Sequence, residues 1–576
     1  MPPQRLKVAD MNVTQWLLFI LLVQLIHFLG TWKLYKKAGR KPWEAAIPVY
    51  NAVILMKIIR RPGWWVILLF IPIINLLMFP VIWVETIRSF GRNSLLDTWL
   101  VILTLGFYIY YVNYGLDAEH IKDRSLHPKT GIGEWVSSIV FAVVAATLVH
   151  TYFIQPYVIP TGSLERTLRI GDLLFVSKFH YGARTPMTTI AAPMVHDTLP
   201  VLGIRSYLKK PQLPYFRLPG FTKVDRNDIV VFSWPADTVR AFFKKEKGVV
   251  KPIDKKSNYV KRCVGLPGDS LEVRDGYVFI NGEQLVLSDR AKPQYDYMLY
   301  AQKGVSSRLL VETGVSEFNR TYVAQSLNPQ QSMALQSSGY AVYSQNNPPI
   351  ILTDSKGISV DLIRALGLSL REITDRERQA TLTEEMATKL RNNSQIDSVV
   401  KIIERDGVPG YNIFPQNESY PWNNDNFGPI YIPAKGSTIP VSVEVLPLYK
   451  KIIRDYENNT VSVSGNQVLI NGEVTTDYTF KQDYYWMMGD NRDHSEDSRS
   501  WGYVPENHIV GTPIFIWLSF DNFNDGIANW KPRWDRIFTT VHGSGEPVSY
   551  FRYFLMALAA WFLFDFIRKR RKKARK

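Results

Sequence analysis

Apolar residues crowd the two ends of this chain and thin out between them. About 20 apolar residues are needed to cross the hydrocarbon of a bilayer. By that measure four runs read as spans in the N-terminal part, 16–32, 64–83, 95–112 and 135–153, and a fifth lies at 550–567. The first run is too long for a cleavable signal peptide and no small-residue cleavage site follows it, so it reads as a stable anchor. From 154 onward the pattern changes to short apolar runs in a more polar sequence. "DLLFVSKF" (172–179), "DIVVFSWP" (228–235), "NYVKRCVG" (258–265) and "SLEVRDGYVFINGEQLVL" (270–287) have the β-branched and aromatic content and the turn punctuation of strands. "RDGY" supplies an Asp-Gly hairpin signal, and "VSVSGNQVLINGEVTT" (461–476) reads as a second hairpin that repeats the V-x-I-N-G-E pattern of "VRDGYVFINGE" (273–283). Between the hairpins, "GISVDLIRALGL" and "DRERQATLTEEMATKL" have helical spacing, and "FPQNESYPWNNDNFGPIYIPAKG" reads as a structured loop. The expected organisation is a membrane domain over 1–153, a mainly β domain over 154–289 and 458–547, an inserted α+β subdomain over 290–457, a last span at 550–567 and a basic tail at 568–576.

Charge gives this arrangement a direction. The 33–63 loop carries Lys33, Lys36, Lys37, Arg40, Lys41, Lys57, Arg60 and Arg61, and the tail "RKRRKKARK" carries eight more basic residues. Short basic loops stay on the cytoplasmic side. With five crossings both are cytoplasmic, the N-terminus is outside, the 113–134 loop is inside, and 154–547 lies outside the membrane. The tail supplies half of the net charge of +16 without interleaved aromatics. That favours a lipid bilayer as partner over nucleic acid. The outer domain holds the one cysteine, Cys263, so no internal disulfide supports it and its own core must do so. In the strand-like "NYVKRCVGL", Cys263 reads as a small buried hydrophobe.

Three polar stretches carry candidate chemistry. Ser163, in "IPTGSLERTL", follows the fourth apolar run; taken alone it reads as a turn serine or helix cap, with Glu165 in the first turn. A nucleophilic serine needs a base. G-x-S-x-G is absent, and none of His180, His196, His494, His508 and His542 sits in a segment that advertises a triad. Lys261, among Tyr259, Val260, Cys263, Val264 and Leu266, is the other candidate; taken alone it reads as a strand lysine whose head reaches water. Burial that moves a lysine from about 10.4 to 7 or 8 costs roughly 3–5 kcal/mol. The third stretch is "GDNRDHSEDSRSWGYVP" (489–505). Asp493, Ser495 and Asp497 have calcium-loop spacing, but Ser498 stands where the turn needs glycine and no glutamate follows at the twelfth position. No metal or other cofactor is expected.

"IPTGSLERTL", "GDLLFVSKF", "NYVKRCVGLPGDSLEV" and "GDNRDHSEDSRSWGYVP", in this order after an apolar run, resemble the successive boxes of the bacterial type I signal peptidases. The resemblance implies a signal-peptidase-like β-fold and a membrane-bound Ser-Lys endopeptidase. Its partners would be the signal peptides of exported preproteins, removed at the extracytoplasmic face of the inner membrane, beside the export translocon. It implies Ser163 as nucleophile and Lys261 as general base, with the Ser495 hydroxyl positioning the lysine. Thr161 and the Ser163 N–H would form the oxyanion hole. Asp497 and Arg499 would shape the last loop, and Gly489, Asp490, Asn491 and Arg492 its turn. A substrate strand would lie along 157–160 and 258–260, with Ile159, Pro160, Tyr259 and Val260 lining pockets for small side chains. Arg166 stands where many members have proline. The segment over 290–457 and the extra N-terminal spans exceed a minimal member. Two other classes share features: self-cleaving Ser-Lys repressors, which the apolar runs disfavour, and a non-enzymatic membrane-anchored assembly or binding protein on the same scaffold.

Overall fold

The computed structural model describes residues 13–126, 131–237 and 249–574, with side chains of 14–571 within those bounds. The outer-side placement of the N-terminus rests on residues before 13, the inner placement of the 113–134 loop partly on 127–130, and part of the basic tail on 572–576. These lie outside the described residues or side chains.

Helix α1 (Val13–Lys37) and helix α7 (Gly131–Tyr152) cover the first and fourth expected spans. Between them lie α2 (Tyr50–Ile58), α3 (Trp65–Leu68), α4 (Ile74–Ser89), α5 (Leu95–Leu103) and α6 (Tyr108–Tyr114). By length and composition, two described helices can cross a membrane, Thr14–Lys37 and Gly131–Tyr152, or three if α5 and α6 form one broken span. The expectation of five is therefore corrected. The 64–83 run breaks after α3, where Ile73 follows Pro72 and takes φ +69° before α4 begins. The 95–112 run bends by 117° at Leu105 and Gly106, both at positive φ. The 550–567 run does form a helix, α8 (Phe551–Ala574), but Arg552 and Asp565 bound its uncharged stretch well short of a bilayer's thickness. Instead of parallel rods, the middle helices bury a common core that includes Tyr35, Ile54, Met56, Ile87 and Val112.

Helix α7 leads directly into the main sheet. Its strands are β1 (Ile154–Val158), β2 (Asp172–Ser177), β3 (Ile229–Ser233), β4 (Asn258–Gly265), β5 (Tyr484–Met488) and β6 (Ile509–Asp521), antiparallel in the order β1-β2-β6-β3-β4-β5. Strand β3 alternates as period-two geometry requires: Ile229 and Val231 enter a core with Leu174, Val176 and Ile516, while Val230 and Phe232 enter another with Cys263, Met487 and Trp501. The "RDGY" signal gives the hairpin Ser270–Arg274/Tyr277–Ile280, with Asp275 and Gly276 both at positive φ, as a type I′ turn needs.

The residues between the hairpins form two four-stranded sheets. One pairs Gln294–Tyr300, Glu377–Thr383, Ser398–Lys401 and Glu317–Phe318; the other pairs Arg320–Ala324, Ala341–Tyr343, Ile350–Thr353 and Leu370–Ile373. "DRERQATLTEEMATKL" corrects the helical expectation in its first half. Arg378, Ala380 and Leu382 are buried while Glu377 and Gln379 are exposed, so this half is a strand. The Thr383 hydroxyl then caps the helix Glu384–Arg391 by accepting from the Met386 N–H.

Candidate active site

Ser163 lies on the connection from β1 to β2, which forms consecutive turns and no helix. Leu164 and Leu168 anchor these turns in the core beneath the sheet. The backbone reverses at Arg166, whose φ is +74°, a conformation that carries strain outside glycine. The Arg166 guanidinium donates to the Gly314 carbonyl and to Ser316 Oγ (3.0 Å), tying the turn to the 314–317 loop. Thr167 Oγ1 donates to Asp490 Oδ2 at 2.6 Å.

Strand pairing brings the second candidate in. Lys261, opposite Val230 in the β3–β4 ladder, donates from Nζ to Ser163 Oγ at 2.6 Å. Its side chain is buried, and burial pushes the ammonium down to about 8, against the pull of the Asp497 and Glu496 carboxylates. A lysine so placed keeps a neutral fraction near neutral pH, about a tenth at pH 7, and in that form can accept a proton.

The last box closes around this pair. The Asn491 N–H donates to the Ser163 carbonyl at 3.1 Å, and Asn491 Nδ2 donates to the Gly162 carbonyl and to Glu317. Asp490 accepts two bonds from Arg262 of β4, at 2.7 and 2.6 Å, and Asp497 accepts from Arg499 at 3.0 and 2.9 Å. Burial opposes both carboxylates, but the arginines outweigh it and hold both below their usual range. Arg499 also donates to the Arg492 carbonyl at 2.5 Å, and the Arg492 N–H donates to the Gln294 carbonyl. At Gly489 a side chain has no room: a Cβ there would stand 2.2 Å from Ser495 Oγ and 2.6 Å from the Ser163 carbonyl oxygen. Ser495 therefore adjoins the site, yet its buried Oγ makes no hydrogen bond to Lys261 or to any other described residue.

A cleft of about 1110 Å³ runs past Ser163 and Lys261. Thr161, Ile159, Pro160, Tyr259 and Val260 all line it, although Ile159 is mostly turned into the core. Tyr259 is held flat against Trp234, centroids 4.9 Å apart. Sequence reasoning missed Arg262, Glu317 and Glu496. Arg262 and Glu496 are immediate neighbours of singled-out residues, Lys261 and Ser495. Glu317 had no local signal, because it meets Asn491 across 174 positions.

Comparison with known proteins bears on the same segments. A family of unknown function matches residues 43–123. Signal peptidase I of Haemophilus influenzae is 22% identical over 432 residues, spanning 73% of this chain and 79% of that protein. Signal peptidase I of Buchnera aphidicola is 24% identical over 446 residues, 74% of this chain and 93% of that protein. Signal peptidase I of Rickettsia massiliae is 28% identical over 158 residues, 27% of this chain and 46% of that protein. The family model for signal peptidase, peptidase S26, matches 132–347 and 434–518, a stretch that holds the Ser163 turn, β4 and the last box and exceeds half the chain. This chain, with a lysine amine against a serine hydroxyl at the centre of the matched region, belongs to the signal peptidase family of serine peptidases, peptidase S26.

Proposed function

We propose that this protein is a membrane-bound endopeptidase that removes signal peptides from exported preproteins with a Ser163–Lys261 dyad. The observation that carries the reading is the 2.6 Å bond from a buried, pKa-depressed lysine to a serine on the wall of a peptide-sized cleft. Neutral Lys261 takes the Ser163 proton as Oγ attacks the scissile carbonyl. The Ser163 N–H and the Thr161 hydroxyl hold the tetrahedral oxyanion, where one lost donor typically costs about a hundred- to a thousandfold in rate. Lys261 then protonates the leaving amine, and an acyl group remains on Ser163. Water, deprotonated by Lys261, releases it and restores the enzyme.

The substrate extends along β1 and β4, with its small side chains against Pro160, Tyr259 and Val260. Asp490, Asn491, Arg492, Asp497 and Arg499 hold the frame, and Ser495 orients the lysine once substrate excludes water. With α1 and α7 as the crossings, the sheet faces the extracytoplasmic side beside the export translocon: the basic 33–63 loop stays inside, and α7 ends at Tyr152, eleven residues before Ser163. Residues 290–457 act as an inserted unit that walls the cleft through 315–319 and 379–381.

The test is cleavage of a purified preprotein by wild type, Ser163→Ala and Lys261→Ala. Wild type is expected to cut at the signal-peptide junction and both variants to fall by three orders of magnitude or more, ~4 kcal/mol of barrier. Equal cleavage by all three would show the dyad to be wrong, and wild type inert on several preproteins would favour a non-enzymatic scaffold.

A further inference from the structure

A second pocket, of about 150 Å³, lies where α7 meets the sheet. Its walls come from Thr147, His150 and Thr151 of the last turns of α7, from Gln155 and Tyr157 of β1, and from a ribbon that includes Met194, Val195 and His196. The volume equals about five waters, enough for a phosphate group and too small for a drug-sized ligand.

Three cations and one carboxylate line it: Lys178, Arg184 and Lys255, with Asp254. Lys255 is offset by Asp254 and Asp197, and Arg184 shares Asp254, whose oxygens already accept from Thr188 at 2.9 and 2.7 Å. Arg184 spends Nη1 on the Asn507 carbonyl and Nη2 on Ser233 Oγ, both neutral acceptors. Lys178 donates to the His150 carbonyl at 2.8 Å, and the charge that chiefly bears on it is Arg184, of like sign. Burial accordingly lowers Lys178 to about 7. Among the described residues neither Lys178 nor Arg184 has a salt bridge. An arginine with only a shared carboxylate nearby, beside a lysine with none, leaves a net positive pocket and N–H groups suited to a phosphate.

The surroundings indicate a lipid as its source. On the ribbon that walls the pocket, Leu208 pairs with Ile190 and the tip carries Val201, Leu202 and Ile204; all five side chains are exposed. Exposed apolar side chains next to the end of an apolar helix suit a bilayer surface. We infer that the Lys178–Arg184 pocket holds the phosphate of an anionic phospholipid in the leaflet beneath the sheet. The headgroup also braces the active site from behind. Tyr157 of β1 and Asn258 of β4 line both this pocket and the cleft and are joined by a 3.1 Å hydrogen bond. β1 leads to the Ser163 turn, and β4 carries Lys261.

Native mass spectrometry of the full chain, released from nanodiscs of phosphatidylcholine with phosphatidylglycerol, tests this without reference to peptidase activity. Wild type and Lys178→Arg are expected to retain phosphatidylglycerol in preference to phosphatidylcholine. Lys178→Gln and Arg184→Gln are expected to retain about tenfold less, the weight of one charge-assisted hydrogen bond. Equal retention by wild type and both glutamine variants, or no preference between the lipids, would overturn the proposal. Displacement of the lipid by millimolar inorganic phosphate would also overturn it, since the ligand would then be a free anion.

Discussion

Protonation of Lys261 sets the pH at which the proposed dyad works. Burial lowers its pKa to about 8, so the neutral form is lost as pH falls. Below that value kcat/KM is expected to fall about tenfold per pH unit, and above it to level off. A pH–rate profile on a fixed preprotein checks this; a profile flat from pH 6 to 9 would place the base elsewhere. Lys261→Arg keeps the charge but cannot surrender its proton, and it is expected to be as inactive as Lys261→Ala. Gly489 supplies a steric test. A Cβ there meets the Ser163 carbonyl oxygen, a backbone atom that cannot rotate away. Gly489→Ala is therefore expected to cut kcat about a hundredfold by displacing the Ser163 turn, the scale of a 1 Å misplacement, with circular dichroism unchanged.

At the scale of elements, the Ser163 turn is held by contacts from three distant parts of the chain. Leu164 and Leu168 enter the core, Thr167 meets Asp490, and Arg166 meets Gly314 and Ser316. The arginine that departs from the family pattern thus gains a structural account, a tether to the loop beside Glu317. Arg166→Ala is expected to lower kcat about tenfold with KM little changed, measured by steady-state kinetics, because the tether orders the nucleophile and does not touch substrate. The Asp490–Arg262 pair joins β5 and its following turn to β4 in a buried setting. Asp490→Ala leaves that guanidinium uncompensated and should destabilise the domain by about 3–5 kcal/mol, read as a drop in thermal midpoint. Asp490→Asn, which keeps some of the bonds, should cost less.

At the scale of the whole molecule, the orientation across the membrane is directly measurable, because Cys263 is fully buried and burial raises its thiol far above the ordinary range. A single cysteine placed by Lys36→Cys is expected to react with an impermeant maleimide only after cells are opened, and one placed by Phe221→Cys on intact spheroplasts. The reverse pattern would invert the proposed topology. Strand identity along 172–177, 229–233 and 258–265 was legible in the chain, since short runs of β-branched and aromatic residues between turn signals favour strands whether one face or both are buried. So were the chemical types at the site, because amine, hydroxyl and carboxylate reactivity belongs to side chains. The count of membrane-crossing helices was not. Hydropathy sums over a window and is blind to the backbone reversals at Ile73 and Leu105 that fold apolar runs back on themselves. Nor was the half-strand 377–383, whose charged residues mimic a helix until the register against 294–300 buries alternate positions. The sequence by itself determined which residues could act, and where local structure would form. Only the tertiary structure decided that Lys261 reaches Ser163 across 98 positions and that the 314–317 loop grips its turn. Such contacts depend on sheet register and loop closure, and no local periodicity encodes them.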